Sequence, residues 1–421
     1  MKKHIQTCIT ALILIILCGF PFKSIFALKA KGDTNKTAVN DTLPDIRRVK
    51  DVVVYKDSLF YSAFPSVIKR PNGEFLVAFR RAPERRLFGE QNIDHTDPNS
   101  YMVMVRSRDG EKWSSEPELI FAHPFGGSQD PCLLQLKDGT ILCTSYTWAL
   151  IRQNADSVLG KKLTIHKSRQ PDHSTDYAFL GGYLVRSSNG GKTWQGPIYP
   201  PHIPADIQIN VWGEPLPAYN RGALYEGKNG RIFWVVASNS ADGPTRTQTH
   251  LLVSDDKGLT WNYSAPVASD EKISFDETSI YETPKGDLVA FLRTANMPGE
   301  LSCISRSTDG GKSFNWKSMG FYGYPLHALK LPDNRVLLTY GYRHKPFGIR
   351  GKILNAECTD YETAPEFVIR DDGGNGDLGY CWSTMMDKTR VMVVYYFNTD
   401  MGTRFIGETI LELNSKKSGS K

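Results

Sequence analysis

A short turn recurs four times along the chain and constrains its fold more than any other feature. Its copies are SRDGEKW (107–113), SSNGGKTW (187–194), SDDKGLTW (254–261) and STDGGKSF (307–314). In such a segment the Asp or Asn side chain hydrogen-bonds the backbone of a tight turn, and glycine accepts a positive φ. The aromatic residue then packs back over the flanking strands. A hairpin turn repeated in this way indicates an all-β chain built from repeated units.

A second repeat surrounds these turns and sets the number of units. It consists of an apolar strand, a polar turn and a second apolar strand. Its six copies are FPSVIKRPNGEFLVAFRR, DPCLLQLKDGTILCTSY, RGALYEGKNGRIFWVVAS, ETSIYETPKGDLVAFLRT, HALKLPDNRVLLTYGYR and YCWSTMMDKTRVMVVYYF. Four short strands per unit with loops of variable length fit this spacing. The sequence therefore predicts a six-bladed β-propeller of four-stranded antiparallel blades.

The chain divides into four segments by composition. We predict a signal peptide, a polar linker, a propeller and a polar tail, at residues 1–27, 28–48, 49–414 and 415–421. The segment VKDVVVY at 49–55 is expected to complete the last blade, because closure removes an unpaired strand edge. The polar segment 149–178 is expected to be a long surface loop that rims the pocket.

The first residues indicate export. Lys2 and Lys3 precede an apolar run from Ile9 to Phe20, which is shorter than the ~20 residues of a membrane span. We expect a soluble protein in the periplasm or outside the cell, without a transmembrane span. Lipidation of Cys18 is an alternative, although the preceding residue is not small.

Charge and cysteine content narrow the possible partners. The net charge is +6 and no block of five basic residues occurs, which argues against a nucleic-acid partner. The five cysteines after the signal region are widely spaced and form neither a disulfide framework nor a zinc motif. We expect a monomer that needs no metal or cofactor.

Polar residues at the beginnings of the repeats are the candidate site residues, because the innermost strands of a propeller converge on its centre. Charged groups at such inward positions are costly unless they are paired or functional. The starts of the repeats contain Asp130, Arg221, Glu277, His327 and Tyr380, and second strands end in Arg80, Arg81, Arg293 and Arg343. Asp130 could orient a substrate or stabilise the turn before Pro131.

The repeated turns resemble the Asp-box of the sialidase superfamily, and other segments extend this resemblance over nearly all of the mature chain. DETSIYETPKGDLVAFLR is similar to the sialidase segment that carries a glutamate and an arginine, which match Glu277 and Arg293. DLGYCWSTMMD resembles the segment with the tyrosine nucleophile, which matches Tyr380. In LLTYGYRHKPFGIRG, Arg343, or alternatively Arg350, falls where the family places another carboxylate-binding arginine.

The resemblance implies a mechanism as well as a fold. A glutamate would take the proton of a tyrosine nucleophile, an aspartate would act as acid and then base, and arginines would bind the sugar carboxylate. Asp97 in HTDPNSYMVMVRSRDG matches the aspartate, with Asp94 as the alternative. The implied activity is an exo-acting glycoside hydrolase that removes a terminal acidic sugar from a glycan.

One departure puts the substrate in question. The family's first arginine lies in a Tyr-Arg-Ile-Pro motif, and this chain has SAFP at 62–65 with Ala63 in the place of the arginine. Compensation could come from nearby arginines in the next strand and loop, namely Arg80, Arg81, Arg85 or Arg86. Otherwise the substrate is an acidic sugar other than sialic acid.

Two other functions remain open on the sequence. The first is a propeller polysaccharide lyase or neutral-sugar hydrolase that uses His95 or His327 with a tyrosine. The second is a propeller that binds carbohydrate without catalysis, since Asp-boxes also occur in proteins that are not enzymes.

Overall fold

Each predicted repeat folds as the inner part of a blade, because its two apolar strands are joined by a tight turn and pair antiparallel. The computed structural model describes residues 46–90, 96–153, 163–167, 175–204, 206–240, 243–400 and 402–414. The predicted signal peptide, most of the predicted linker and the polar tail lie outside these residues. All of the described residues belong to one compact unit, Val39–Lys421.

The described strands form six antiparallel sheets, one per blade. Blade 1 contains β2 (Phe60–Lys69), β3 (Phe75–Pro83), β4 (Tyr101–Ser107) and β5 (Glu118–Phe121). Blade 2 contains β6 (Gly127–Ser128), β7 (Cys132–Gln135), β8 (Ile141–Arg152), β9 (Ile165–Lys167), β10 (Thr175–Ser187) and β11 (Gln195–Ile198). Blade 3 contains β12 (Tyr225–Glu226), β13 (Ile232–Ser240), β14 (Gly243–Ser254) and β15 (Asn262–Ala268).

Blade 4 contains β16 (Ser274–Glu282), β17 (Leu288–Ala295), β18 (Leu301–Ser307) and β19 (Asn315–Tyr322). Blade 5 contains β20 (Tyr324–Lys330), β21 (Val336–Tyr342), β22 (Gly348–Leu354) and β23 (Glu366–Arg370). Blade 6 contains β24 (Gly379–Met385), β25 (Arg390–Phe397), β26 (Phe405–Leu413) and β1 (Ile46–Tyr55). Short 3₁₀ helices occur at Arg85–Phe88 and Pro298–Glu300, and no helix of the described chain is long and apolar enough to cross a membrane.

The predicted propeller is confirmed, and its ring is closed by the two ends of the chain. Strand β1 pairs with β26, from Ile46 opposite Leu413 to Tyr55 opposite Ile406. The predicted closing strand is therefore confirmed, although it begins three residues before Val49. Pairing between the ends removes the edge that an open blade would expose.

The hydrophobic core lies between neighbouring blades. Inner strands such as β3 are apolar over consecutive positions, because both faces of the sheet are covered there by a neighbouring blade. In β3, Phe75, Val77 and Phe79 pack toward blade 6, whereas Leu76 and Ala78 pack toward blade 2. Successive side chains of one strand therefore stabilise two different interfaces.

The four repeated turns form as the sequence predicted. Each joins the last two strands along the chain in one of blades 1 to 4, and its first serine accepts a hydrogen bond from a glycine N–H at 2.8 to 2.9 Å. The third residue, Asp or Asn, caps the next N–H groups, as Asp309 does for Ser313 at 3.0 Å. The turns lie at the ends of the blades away from the beginnings of the innermost strands.

The prediction of a long loop at 149–178 is wrong in its described parts. Strands β8 and β10 pair from Arg152 opposite Thr175 onward, with one register shift between Phe179 and Gly181, and β9 adds to the edge of β10. The ring of Trp148 packs against Phe179 with centroids 4.8 Å apart, so apolar contacts support the longer hairpin. Blade 2 is consequently extended, and its innermost strand is split into β6 and β7.

Candidate active site

Three of the innermost strands carry a bulge at the same level of the ring. Pairing is interrupted in β2, β16 and β24, and each interruption contains a residue with positive φ: Phe64 at 58°, Glu277 at 21° and Tyr380 at 55°. Such a backbone is costly for large side chains and clusters at functional sites. A bulge re-aims a side chain that the strand pleat would otherwise direct into the core. Here it brings Glu277 and Tyr380 together.

Tyr380, Glu277 and Arg293 form a cluster contributed by blades 6 and 4. Tyr380 Oη donates a hydrogen bond to Glu277 Oε1 at 2.5 Å, and Arg293 Nη1 donates to Tyr380 Oη at 3.2 Å. Arg293 Nη1 also lies 2.5 Å from Glu277 Oε2 as an ion pair. Tyr380 and Glu277 are 6% and 9% exposed, whereas the Arg293 side chain is 23% exposed. The guanidinium is therefore the part of the cluster that an incoming anion can reach most easily.

The charges of the cluster keep the shared proton on Tyr380. Burial opposes ionisation of Glu277, but the Arg293 guanidinium and the Tyr380 hydrogen bond outweigh it, so the pKa of Glu277 lies below its usual value. Burial, followed by the charge of Glu277, raises the pKa of Tyr380 well above its usual value. The resting cluster is a phenol that donates to a carboxylate. Such a carboxylate can take the proton when the phenol oxygen attacks an electrophile.

Two further arginines flank the Tyr380 ring. The guanidinium carbon of Arg221 lies 4.5 Å from the ring centre, and Arg221 Nη2 donates to the Tyr380 carbonyl at 3.2 Å. The guanidinium carbon of Arg343 lies 5.3 Å from the same ring, and Arg343 Nη2 donates to Tyr396 Oη at 3.1 Å. Arg221 is 2% exposed, whereas Arg343 is partly exposed. Arg221 therefore supports the tyrosine from within, while Arg343, like Arg293, is accessible to solvent.

The neighbours Arg80 and Arg81 extend from opposite faces of blade 1, as the two-residue period of a strand requires. Arg80 pairs in register with Ala63 and is fully buried, with its guanidinium carbon 6.0 Å from the centre of the Phe64 ring. Arg81 instead forms an ion pair with Asp57 at 3.1 Å. Arg80 therefore lies on the face of the strand from which the missing arginine would extend. The position of Arg81 does not support its predicted substrate-binding role.

Asp130, at the start of blade 2, is electrostatically coupled to this cluster. Its Oδ2 accepts a hydrogen bond from Tyr146 Oη at 3.2 Å, whereas its buried Oδ1 has no hydrogen-bond partner among the described residues. Burial and then the charge of Glu277 raise the pKa of Asp130 to about 6, against the opposing effect of Arg221. A carboxylate that orients a substrate needs such an unpartnered acceptor. The role of Asp130 in orienting a substrate stays a prediction.

Asp97, the predicted acid and base, is held by an ion pair with Arg85. Arg85 Nε and Nη2 lie 2.5 and 2.8 Å from its two oxygens, and its Oδ1 also accepts from the Asn99 N–H at 2.8 Å. The hydrogen bonds of Asp97 within the described residues therefore do not join it to Tyr380. Arg85 is thus ion-paired with Asp97, and Arg86 is ion-paired with Glu84 at 2.7 Å.

The remaining candidates separate clearly. Arg350 is 3% exposed and donates to the carbonyls of Ile349 and Arg370 at 3.3 and 3.1 Å, so Arg343 rather than Arg350 flanks the tyrosine. His327 Nδ1 lies 3.0 Å from Ser383 Oγ, and burial lowers the pKa of His327 to about 3. His95 and Asp94 lie outside the described residues. Within the part of the chain that the structure describes, no group of three or more His, Cys, Asp or Glu could hold a metal ion.

The sequence interpretation gave no role to two groups beside the cluster. Asp276 lies opposite Arg293 in the strand register, with its Oδ1 3.8 Å from Arg293 Nε. Burial has the largest effect and raises the pKa of Asp276 to about 7. The charge of Arg293 opposes this shift, and the charge of Glu277 adds to it. Arg221 was recognised as inward-facing but not as a support for the tyrosine. The adjacent acidic residues Asp276 and Glu277 were the available sequence signal.

The six blades and the tyrosine–glutamate–arginine centre define a divergent sialidase-like propeller. Residues 158–393, more than half of the chain, match the family described as BNR repeat-like domain. The chain therefore belongs to this family. A comparison with curated proteins found no match.

Solved structures agree with this assignment. A protein of unknown function from Dyadobacter fermentans DSM 18053 is 61% identical, with a TM-score of 0.84 over 88% of this chain and 100% of that one. The Hadza microbial sialidase Hz136 is 17% identical, with a TM-score of 0.57 over 83% of this chain and 65% of its own. The α-L-arabinanase of Penicillium chrysogenum is 15% identical, with a TM-score of 0.58 over 87% and 98%. The last two share the fold, and both are glycosidases by name.

Proposed function

We propose that the protein is an exo-acting glycoside hydrolase that removes a terminal acidic sugar from a glycan, with Tyr380 as nucleophile. The observation that carries the proposal is the hydrogen bond of 2.5 Å from Tyr380 Oη to Glu277 Oε1 beside the Arg293 guanidinium. A buried tyrosine bonded only for packing would not need a carboxylate and a strained backbone at both partners. Bulges that direct both side chains into one cluster favour a catalytic role.

The proposed reaction proceeds in two displacements. Tyr380 Oη attacks the anomeric carbon while its proton passes to Glu277, and the bond from that carbon to the leaving-group oxygen breaks. An acid protonates the leaving oxygen. Water then attacks the anomeric carbon of the glycosyl-tyrosine and gives its proton to the conjugate base of that acid, while the bond from the carbon to Tyr380 Oη breaks and Glu277 returns its proton to Tyr380. Two inversions give net retention of configuration.

Arg293 and Arg343 are the proposed binding groups for the sugar carboxylate. Both are partly exposed and both lie beside Tyr380, whereas Arg80 and Arg221 are buried. A guanidinium binds a carboxylate with two parallel hydrogen bonds, which orients the sugar as well as attracting it. Because Ala63 replaces the family's first arginine, the substrate class includes uronic and keto-deoxy sugars as well as sialic acids.

Asp97 is the proposed acid and base, from its position in the sequence. Its carboxylate is ion-paired with Arg85, and it would have to be protonated to donate to a leaving group. The histidine-dependent alternative has less support, because His327 is buried, bonded to Ser383 and neutral at ordinary pH.

The experiment is a screen of the purified protein against terminal sialosides, uronosides and keto-deoxy glycosides, with products identified by mass and anomeric configuration by NMR. We expect release of one acidic sugar with retention. Tyr380→Phe should lower kcat by a factor of at least ~10², the usual minimum for a directly acting group. The matched control is Tyr263→Phe, an exposed tyrosine of blade 3, which should keep full activity.

Three results would contradict the proposal. Full activity of Tyr380→Phe would exclude the nucleophile, and an unsaturated product that absorbs in the ultraviolet would indicate a lyase. Binding of acidic glycans by calorimetry without turnover of any substrate would indicate a binding propeller.

A further inference from the structure

A cavity with aromatic walls lies between the connections that enter blades 2 and 3. Its volume is about 320 Å³, within the range of small-ligand pockets. Phe125 comes from the connection between β5 and β6, and Tyr199 and Trp212 come from the connection between β11 and β12. These three side chains are 60%, 54% and 53% exposed, so large apolar surfaces converge on one opening. Such convergence on a soluble protein marks a binding surface.

The turn that presents Trp212 is held in place before any ligand arrives. Asn210 Oδ1 accepts hydrogen bonds from the N–H groups of Trp212 and Glu214, both at 3.0 Å. Asn210 Nδ2 donates to Glu214 Oε2 at 2.9 Å, and the edge of Trp212 meets the ring of Phe125 with centroids 5.1 Å apart. A preorganised aromatic side chain loses little conformational entropy when it binds.

The polar lining indicates the charge of the ligand. Glu214 places a carboxylate at the cavity, and no arginine or lysine is among the described lining residues. Burial lowers the pKa of His123 to about 4, so this imidazole is neutral. Its Nδ1 accepts the Phe125 N–H at 3.3 Å, which leaves the proton on Nε2. The lining therefore offers acceptors, a neutral donor and aromatic faces, which suit an uncharged hydroxylated ring and repel an anion.

The cavity is on the same side of the propeller as the tyrosine cluster. The connections between blades enter the innermost strands at the ends where Glu277 and Tyr380 lie, opposite the Asp-box turns. Tyr183, in the cavity wall, donates to Ser128 Oγ at 2.8 Å, two residues before Asp130. A buried hydrogen bond therefore joins the cavity wall to the segment that carries Asp130.

We propose that this aromatic cavity binds a neutral pyranose residue on the leaving-group side of the glycan whose acidic terminus is cleaved at Tyr380. The ring stacks on Trp212 and Tyr199, and its hydroxyls bond to Glu214 and His123. The proposal rests on the proposed function for the position of this residue within the substrate, but not for the binding itself. Binding of a neutral sugar and cleavage of an acidic one are therefore measured separately.

The first test measures binding without turnover. The full chain with Tyr380→Phe is applied to an array of neutral oligosaccharides, and the strongest binder is titrated by calorimetry. We expect Trp212→Ala and Tyr199→Ala, each added to this background, to weaken binding at least ~10-fold, as loss of an aromatic anchor does. Tyr263→Ala, at an exposed tyrosine outside the cavity, should leave the Kd unchanged. Unchanged melting temperatures would show that the variants are folded.

The second test places the cavity in the reaction. For Trp212→Ala in the active protein, kcat/KM should fall at least ~10-fold on an oligosaccharide substrate and by clearly less on an aryl glycoside of the same acidic sugar, which carries no sugar ring on its leaving-group side. Two outcomes overturn the proposal: no neutral oligosaccharide bound at about 1 mM, or equal binding by the cavity variants and the control. An equal fall on both substrates would overturn the leaving-group position. Absence of hydrolysis with Trp212-dependent binding would overturn the proposed function and that position together, but leave the neutral-sugar site.

Discussion

Glu408 is a buried carboxyl group whose ionisation should control the stability of the propeller. It lies in the middle of β26, between β25 and the closing strand β1, and it is 0% exposed. Neither of its oxygens has a hydrogen-bond partner of normal geometry among the described residues, and the nearby Trp113 indole N–H offsets burial only in part. Burial, reinforced by the charge of Glu111, raises the pKa of Glu408 to about 9 although Lys50 and Trp113 act in the opposite direction. Folded protein therefore keeps this proton at neutral pH.

The size of the effect follows from the difference between the two states. In the unfolded chain Glu408 ionises near its ordinary pKa of 4.5, whereas in the folded protein it does so near pH 9. The stability that the proton supplies is complete below pH 4.5 and is lost as pH rises toward 9. At pH 7 the solution is 2.5 pH units above the ordinary pKa of 4.5. Each unit lowers the unfolding free energy by 1.36 kcal/mol, so the loss at pH 7 is about 3 kcal/mol.

Glu408→Gln keeps the shape of the protonated acid and removes this ionisation. We expect the variant to exceed the wild type in unfolding free energy by about 3 kcal/mol at pH 7, and to approach it at pH 4.5. The measurement is urea unfolding followed by tryptophan fluorescence at several pH values between 4.5 and 9. A difference between the two proteins that stays constant over this range would refute the reasoning. Glu412→Gln, at a partly exposed position of the same strand, is the control and should change stability by less than about 1 kcal/mol at every pH.

The other predictions concern the cluster. Glu277→Gln should lower kcat by ~10²- to 10⁴-fold because the phenol loses its proton acceptor, and steady-state kinetics on any cleaved substrate measures it. Arg343→Ala should raise KM more than it lowers kcat, because it removes a binding group that is not the proton acceptor; a pure kcat effect would exclude this role. Asp97→Asn should slow the first displacement on natural glycans while sparing that step on aryl glycosides with good leaving groups, which appears as a burst of released aryl alcohol, whereas Asp130→Asn should slow the first displacement on both. The reverse pattern would make Asp130 the proton donor. Arg221→Met should lower the activity of the enzyme but leave its substrate preference unchanged, because Arg221 supports Tyr380 from within.

The architecture could be predicted because a blade is a local unit. Its strands are adjacent in sequence, and the hairpin turns that join them have their own residue signature. The structure of each repeat can therefore be predicted from its own residues. The error at 149–178 has the same cause. Polar composition there indicated a loop, but pairing of β8 with β10 and the contact of Trp148 with Phe179 extend the hairpin.

The identities of Glu277, Arg293, Arg343 and Tyr380 also came from the sequence, through segments that resemble sialidases. The sequence did not show that these side chains contact one another. Residues 277 and 380 lie on different blades, and they meet because the ring closes and a bulge turns each side chain inward. The closing strand could be predicted from the sequence, but a bulge has no residue pattern that a linear reading detects.

The tertiary structure also determined which of two neighbouring residues faces the site. Arg80 and Arg81 are equivalent in sequence, but the strand pleat directs Arg80 to the face of Ala63 and Arg81 to Asp57. Arg221 became a support for Tyr380 only through a contact of 4.5 Å between blades 3 and 6. The sequence by itself determined a propeller and the chemical groups at its centre, because both depend on local patterns. Which groups touch was decided by the tertiary structure, since six distant segments converge there.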